Sequence, residues 1–324
     1  MSLYEKLKLA IAEEDDSGKT LDSYWHQCRK FYAFCRKPAS QWCGPDVQRW
    51  LHHLHAQQYS RSSRKSALCA MAFVFRHILK ADMGTLDLPP MPKERHALKV
   101  IPTREELARI FAGLKGQPKT MGLVIYGGGP RIEECCTLRV KDLDFATLSV
   151  RIHDGKGGKS RLTLLPTLLV ERLQKHVAWR KALHDLDLAN GGGLVELPGR
   201  LAVKYKNAPR EFRWQWLFPS AVVRGQYRWH ATDEMVAKQM RAAVKAAGIV
   251  KRITPHTLRH AFATHAMRAG NDIKTVQELL GHEDLNTTAI YLHADAARGI
   301  SPLDVPQVQP LNSLPPAQLY QLTP

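Results

Sequence analysis

Three groups of residues in this chain have the types and spacing to do chemistry on an anion. His256 and Arg259 lie three apart within Thr254-Pro-His-Thr-Leu-Arg-His260. Thr254 reads as an N-cap and Pro255 as a first-turn residue, so the pair projects from one face of a helix. An imidazole there can exchange a proton while a guanidinium holds negative charge, although H-x-x-R spacing alone also occurs by chance. Leu280-Gly-His282 precedes Thr287, Thr288 and Tyr291. Gly281 fits a helix stop, His282 the following turn, and Tyr291 a further helix capped by Asn286 or Thr287. Tyr291 is either a nucleophilic hydroxyl or a ring packed in a core. Arg131 follows Tyr126-Gly-Gly-Gly-Pro130 and opens the segment RIEECCTL. An arginine at a helix N-terminus beside a glycine-rich turn suits an oxyanion; the alternative is a surface ion pair with Glu134.

These groups need a framework, and the chain supplies one that is mainly α with a small β-hairpin. Residues 1–86 read as all-helical, with apolar residues at helical spacing over Leu21–Phe34, Asp46–Leu54 and Arg64–Leu79. Serines at the start of the last segment offer caps. Arg61, Arg64 and Lys65 offer either phosphate contacts or a solvated basic face. Residues 87–102, with Pro89, Pro90 and Pro92 followed by basic residues, read as a linker. Residues 103–300 read as a mixed α+β domain, opened by a capping box at Thr103-Arg-Glu-Glu106. Ser149–His153 and Arg161–Leu165 form a predicted hairpin around the glycine-rich tip Asp154-Gly-Lys-Gly-Gly-Lys159. Helices are expected over Pro166–His184 and then around 232–247, 255–269 and 272–280. Asn190-Gly-Gly-Gly193 interrupts them, and 201–220 is unusually aromatic. Residues 301–324 form a tail rich in Pro, Leu and Gln.

Composition narrows the function. Basic residues number 47 against 30 acidic ones, a formal charge of +17, which favours a polyanionic partner, nucleic acid above all. No apolar run reaches the roughly 18 residues of a membrane span, and the acidic start MSLYEKLKLAIAEEDD lacks the apolar region of a secretion signal. The expectation is a cytoplasmic protein with no membrane partner. The six cysteines form no C-x-x-C pair, so they read as reduced thiols rather than zinc ligands or disulfides. No metal site is expected.

Arg131, Lys156 in GKGGKSR, His256 and Arg259 in HTLRH, His282 in LGH, and Tyr291 occur in an order and spacing that resemble the tyrosine recombinases, the family of phage integrases and Xer enzymes. The densest match runs from His256 to Tyr291, and the likeness covers about residues 20–298. Membership implies a helical core-binding domain, a catalytic domain, and a chain that cuts and rejoins DNA. It implies that Arg131 and Arg259 clamp the non-bridging oxygens of a phosphodiester, with His282 adding a hydrogen bond. Tyr291 would attack phosphorus to form a 3′-phosphotyrosine, Lys156 would protonate the departing 5′ oxygen, and His256 would assist proton transfer. Lys159 is the competing acid or a phosphate contact. Bond energy is retained in the phosphotyrosine, so no cofactor is implied, and a homotetramer on two DNA sites is. One departure is Gly128-Gly129-Pro130-Arg131 where the family usually has T-G-L-R.

A narrower likeness is to integron integrases. Lys204-Tyr205-x-Asn207-Ala208, Arg210-Glu211, Trp214-Gln215-Trp216 and Phe218-Pro219-Ser220 resemble the insert of that group, here spanning about 186–220. RVKDLDF (139–145) and GKGGKSRLTLLP (155–166) are similar too. That group recombines gene-cassette sites folded from single-stranded DNA and holds bulged bases on aromatic side chains. Phe212, Trp214 and Trp216 are the candidates, each either a stacking platform or part of the insert's own core. The loop after Phe218-Pro219-Ser220 is shorter than is usual there and carries Trp229-His230. The alternatives are a duplex-specific phage or Xer-like recombinase and a DNA-binding protein without cutting activity.

Overall fold

The computed structural model describes residues 1–14, 18–91, 100–153, 160–198 and 201–281. The chain divides into two units, Met1–Ala97 and Leu98–Pro324.

The first unit is helical. α1 (Leu3–Glu13) starts at a reciprocal Ser2–Glu5 capping box. α2 (Gly18–Cys35) and α3 (Gly44–Ala56) contain the expected segments, and the third begins earlier than expected, as α4 (Arg61–Phe73), because Ser60 accepts from the Ser63 N–H at 3.2 Å. Its continuation, Val74–Leu79, widens into a π-helix and stops at Lys80, which takes a left-handed conformation with φ 50°. Phe31 sits at the centre of the core, its ring 4.8 Å from Trp42 and 5.1 Å from Trp50, among Leu7, Ile11, Val47 and Met71. Beyond Lys80 the chain has no regular structure but stays attached. The Asp87 carbonyl lies 2.9 Å from His52 Nε2, and Arg64 donates to the carbonyls of Pro89 (2.9 Å) and Pro90 (3.0 Å). The start of the expected linker is therefore held on this unit, and residues 92–99 lie outside the described ones.

The second unit starts with α5 (Arg104–Gly113), capped by Thr103 and Glu106 as expected, then α6 (Gly116–Gly128) and α7 (Ile132–Cys136). α6 is central: every residue from Lys119 to Gly128 is buried. Strands β1 (Leu143–Asp144), β2 (Ser149–Ile152) and β3 (Arg161–Leu164) form an antiparallel sheet in that order. The expected hairpin has the register Ser149↔Leu164 to Ile152↔Arg161. α8 (Thr167–Ala189) ends at Asn190 before the glycine run. After α9 (Leu201–Lys204), a second hairpin pairs β4 (Pro219–Arg224) with β5 (Tyr227–His230). That hairpin lies where the sequence reading has only a short loop; Val222-Val223 and the positive-φ turn at Gly225 (60°) explain it. α10 (Asp233–Ala246), α11 (Pro255–Arg268) and α12 (Ile273–Leu280) complete the described part. The core joins Phe111, Met121, Ile125, Leu173, Phe218, Met240 and Leu258, and a smaller cluster of Phe262, Met267, Val276 and Leu280 packs α11 on α12.

Between α8 and β5 the insert is tied together by polar side chains. Arg180 is fully buried; its Nε donates to the Trp216 carbonyl (3.0 Å) and its Nη2 to Gln215 Oε1 (2.9 Å). Gln215 Nε2 in turn donates to the carbonyls of Gly193 (3.1 Å) and Pro209 (3.0 Å). Arg228 pairs with Asp187 through two nitrogens, and His176 Nε2 bonds the Leu217 carbonyl at 2.9 Å. Burial holds the His176 imidazole down to about 4, so it serves as a neutral bridge.

Candidate active site

The glycine run ending α6 sets up the site. Gly129 caps α6 with φ 72° and ψ 18°, and a Cβ there would meet Phe262 Cδ1 at 2.5 Å. Only glycine meets both conditions. Pro130 is buried, and it brings no N–H that would need a partner there. It does not enter the helical turn; Arg131, extended at φ −66° and ψ 155°, is the N-cap of α7, and its carbonyl accepts from the Cys135 N–H at 2.9 Å. The unusual Gly-Pro lead-in thus delivers Arg131 to a helix N-terminus.

Glu134, one turn on, organises the arginines. Its Oε1 accepts from Arg131 Nη1 at 2.7 Å and from Arg161 Nη1 at 3.0 Å. Its Oε2 accepts from the Arg131 backbone N–H at 2.7 Å and from Arg161 Nη2 at 2.6 Å, with Arg259 Nη1 at 3.8 Å. Burial pushes the Glu134 carboxyl up, but hydrogen bonds from Arg161 and the Arg131 N–H outweigh it and hold the group down at about 2. The ion pair expected as an alternative for Arg131 is therefore present, and the same carboxylate serves two more guanidiniums.

Arg259 enters from α11, which Thr254 caps by accepting from the Thr257 N–H. The side chain is buried; Nη1 donates to the Gly129 carbonyl and Nη2 to the Leu280 carbonyl, both at 2.7 Å. α11 is seated on α6 by Tyr126, whose hydroxyl lies 2.9 Å from His265 Nδ1. Burial raises the Tyr126 phenol and lowers His265 to about 4, so this contact stays neutral. His256, in the first turn of α11, is exposed and packs edge-on against His260 with ring centroids 4.5 Å apart. Gly281 stops α12 in the left-handed conformation, φ 66°, as expected of it. Of the six residues in the candidate catalytic set, Arg131 and Arg259 thus meet at Glu134, and His256 lies one turn before Arg259. Lys156, His282 and Tyr291 lie outside the described residues, as does Lys159.

Two residues of the cluster were not singled out as site residues. Glu134 entered only as a pairing alternative, and its signal was the spacing of three from Arg131 inside a first helical turn. Arg161 had a weaker one, an arginine opening the strand that leaves the lysine-bearing tip.

The candidate DNA contacts divide. Arg61 and Lys65 are exposed on α4. Arg64 needs correction: it is 2% exposed, donates to the Pro89 and Pro90 carbonyls and has Nη1 2.9 Å from His55 Nδ1, so no phosphate reaches it. Trp216 is also corrected. It is buried with Val195, Leu197 and Ala208, and the Arg139 guanidinium lies 3.8 Å over its ring, so it closes the insert's own core. Trp214 is half-buried under Lys141 Nζ, 4.4 Å from the ring centre, and Phe212 is half-buried with Lys181 Nζ at 5.9 Å.

The phage integrase family matches residues 103–298, and the phage integrase N-terminal SAM-like domain matches residues 3–85. An integrase/recombinase of Escherichia coli is 36% identical over 328 residues, covering 98% of this chain and 95% of its own. The tyrosine recombinase XerD of Agrobacterium fabrum is 31% identical, covering 89% and 88%. Among solved structures, XerH bound to palindromic difH substrate superposes with a TM-score of 0.62 at 20% identity, over 90% of this chain and 81% of that one. The Tn1549 transposon integrase with transposon right end DNA gives 0.60 at 16% identity, over 91% and 96%. At these identities the structural likeness is one of fold, and the family assignment comes from the sequence matches: the chain belongs to the phage integrase family and is a tyrosine recombinase.

Proposed function

We propose that this chain cuts and rejoins DNA at specific sites through a 3′-phosphotyrosyl intermediate, and that its sites include gene-cassette strands folded as hairpins. The observation that carries the cutting chemistry is the meeting of Arg131 and Arg259 at the single carboxylate of Glu134. Three guanidinium charges against one carboxylate leave two positive charges, matched to a phosphodiester whose transition state gains a second negative charge. The Tyr291 hydroxyl gives up its proton as its oxygen bonds to phosphorus, and the bond to the 5′ oxygen breaks as that oxygen takes a proton from Lys156. His256 assists proton transfer by receiving the phenol proton, and His282 donates to a non-bridging oxygen. A 5′ hydroxyl from the partner strand reverses the step. Arg61, Lys65 and Lys159 contact backbone phosphates, and a homotetramer holds two sites.

The hairpin preference rests on the insert, where Phe212 and Trp214 remain partly accessible for stacking. A duplex-specific reading has its own support: the burial of Trp216 removes one of the three stacking candidates, and relatives of this chain carry Xer names. Gel shifts comparing a folded strand with its own duplex separate the two, and equal or better duplex binding defeats the hairpin reading. A nicked suicide substrate tests the chemistry. The chain is expected to trap covalently on it, and Tyr291→Phe to bind without trapping; an adduct persisting in Tyr291→Phe would exclude this mechanism.

A further inference from the structure

Arg161 has no part in the six-residue catalytic set, yet it makes the most complete contact in the cluster. It engages both oxygens of Glu134, at 3.0 and 2.6 Å, and its Nε donates to the Leu279 carbonyl at 3.0 Å. Its stem crosses Gly281 so closely that a Cβ there would lie 2.8 Å from Arg161 Cδ. Its side chain is 11% exposed, between Arg131 at 39% and Arg259 at 4%. It thus links β3, the first turn of α7 and the end of α12.

The charge balance gives this contact a consequence. Glu134 is ionised, and its negative charge faces the same guanidiniums that would hold a phosphate. Without Arg161, Arg131 and Arg259 would share that carboxylate between themselves and keep one net positive charge. With Arg161 they keep two. The planar fork of an arginine, which a lysine ammonium does not have, matches both oxygens at once.

We propose that Arg161 is a positioning residue for strand cleavage: it takes up the charge of Glu134 so that Arg131 and Arg259 are left to the scissile phosphate, and it pins the backbone that leads into His282. This rests on the reading of those two arginines as a phosphate clamp.

The test uses the full chain and nicked suicide DNA whose scissile group is either an ordinary phosphodiester or a neutral methylphosphonate. Arg161→Met removes the charge and keeps the stem; Arg161→Lys keeps the charge and loses the fork. On the phosphodiester, Arg161→Met is expected to form the Tyr291 adduct about a hundredfold more slowly than the parent, with Arg161→Lys between them. On the methylphosphonate, where less negative charge must be offset, the gap is expected to narrow by about tenfold or more. Equal losses on both substrates would mean a purely structural role and overturn the inference, as would an undiminished rate on the phosphodiester. Thermal unfolding is followed in parallel, and if Arg161→Met does not fold, the ratio for Arg161→Lys decides by the same criterion. A parent chain that forms no adduct on either DNA would instead overturn the recombinase chemistry beneath the proposal.

Discussion

The scale of single residues is where the site's electrostatics are decided. Glu134 has a folded-state value of about 2 against an ordinary 4.5, so its ionised form stabilises the folded chain. A depressed carboxyl contributes stability that is fully present above the unfolded value and is lost as pH falls through the folded one. The urea midpoint of the parent is therefore expected to fall between about 4.5 and about 2, and Glu134→Gln to flatten that fall. Glu134→Gln should also lower stability near neutral pH by about 1–3 kcal/mol, because three guanidiniums lose their charged partner. Denaturation across the acidic range checks both; a variant that loses stability as steeply as the parent would place the acid sensitivity elsewhere.

Secondary-structure elements decide whether those residues meet. Gly129 turns the chain from α6 into α7 and leaves room for Phe262 of α11. Gly129→Ala imposes both a left-handed penalty and a clash, a loss expected to reach about 2–4 kcal/mol. Strand cleavage should fall with it, because Arg259 donates to the Gly129 carbonyl. Urea denaturation gives the first quantity and suicide-substrate trapping the second; unchanged stability would contradict the packing. α4 gives a contrasting case. Arg64→Met leaves the Pro89 and Pro90 carbonyls and the His55 ring without their donor, costing about 1–3 kcal/mol. A drop in urea midpoint with the salt slope of DNA binding unchanged is the expected result. Unchanged stability with a shallower slope would instead make Arg64 a phosphate contact.

At the scale of the whole molecule the excess of 47 basic over 30 acidic residues sets how binding responds to ions. Each phosphate neutralised releases counterions, so affinity should fall linearly on a log–log salt plot, with a slope near −0.9 per contact on duplex DNA. Arg61→Ala and Lys65→Ala should each reduce the slope by about one. Filter binding from low to moderate salt measures it, and a flat response would place the positive charge away from the DNA.

The sequence by itself determined what depends on local order. Thr103 and Thr254 cap because a hydroxyl reaches an N–H three residues on; Gly281 stops α12 because it adopts positive φ without strain; β2 and β3 alternate around a glycine-rich tip. The order of Arg131, His256 and Arg259 was legible in the same way. What only the tertiary structure decided is which side chains share a partner. Arg64 and Lys65 are neighbours in sequence and equally basic, yet one is buried on proline carbonyls and the other is exposed, because a helix turns adjacent residues about 100° apart. Trp214 and Trp216 part similarly, half-buried and buried. Arg161 and Glu134 lie 27 residues apart, and Arg259 is farther still. Their convergence needs α6 to end at its Gly129 cap, β3 to lie beside it, α11 to pack on α6 and α12 on β3, a set of long-range contacts that no local periodicity encodes.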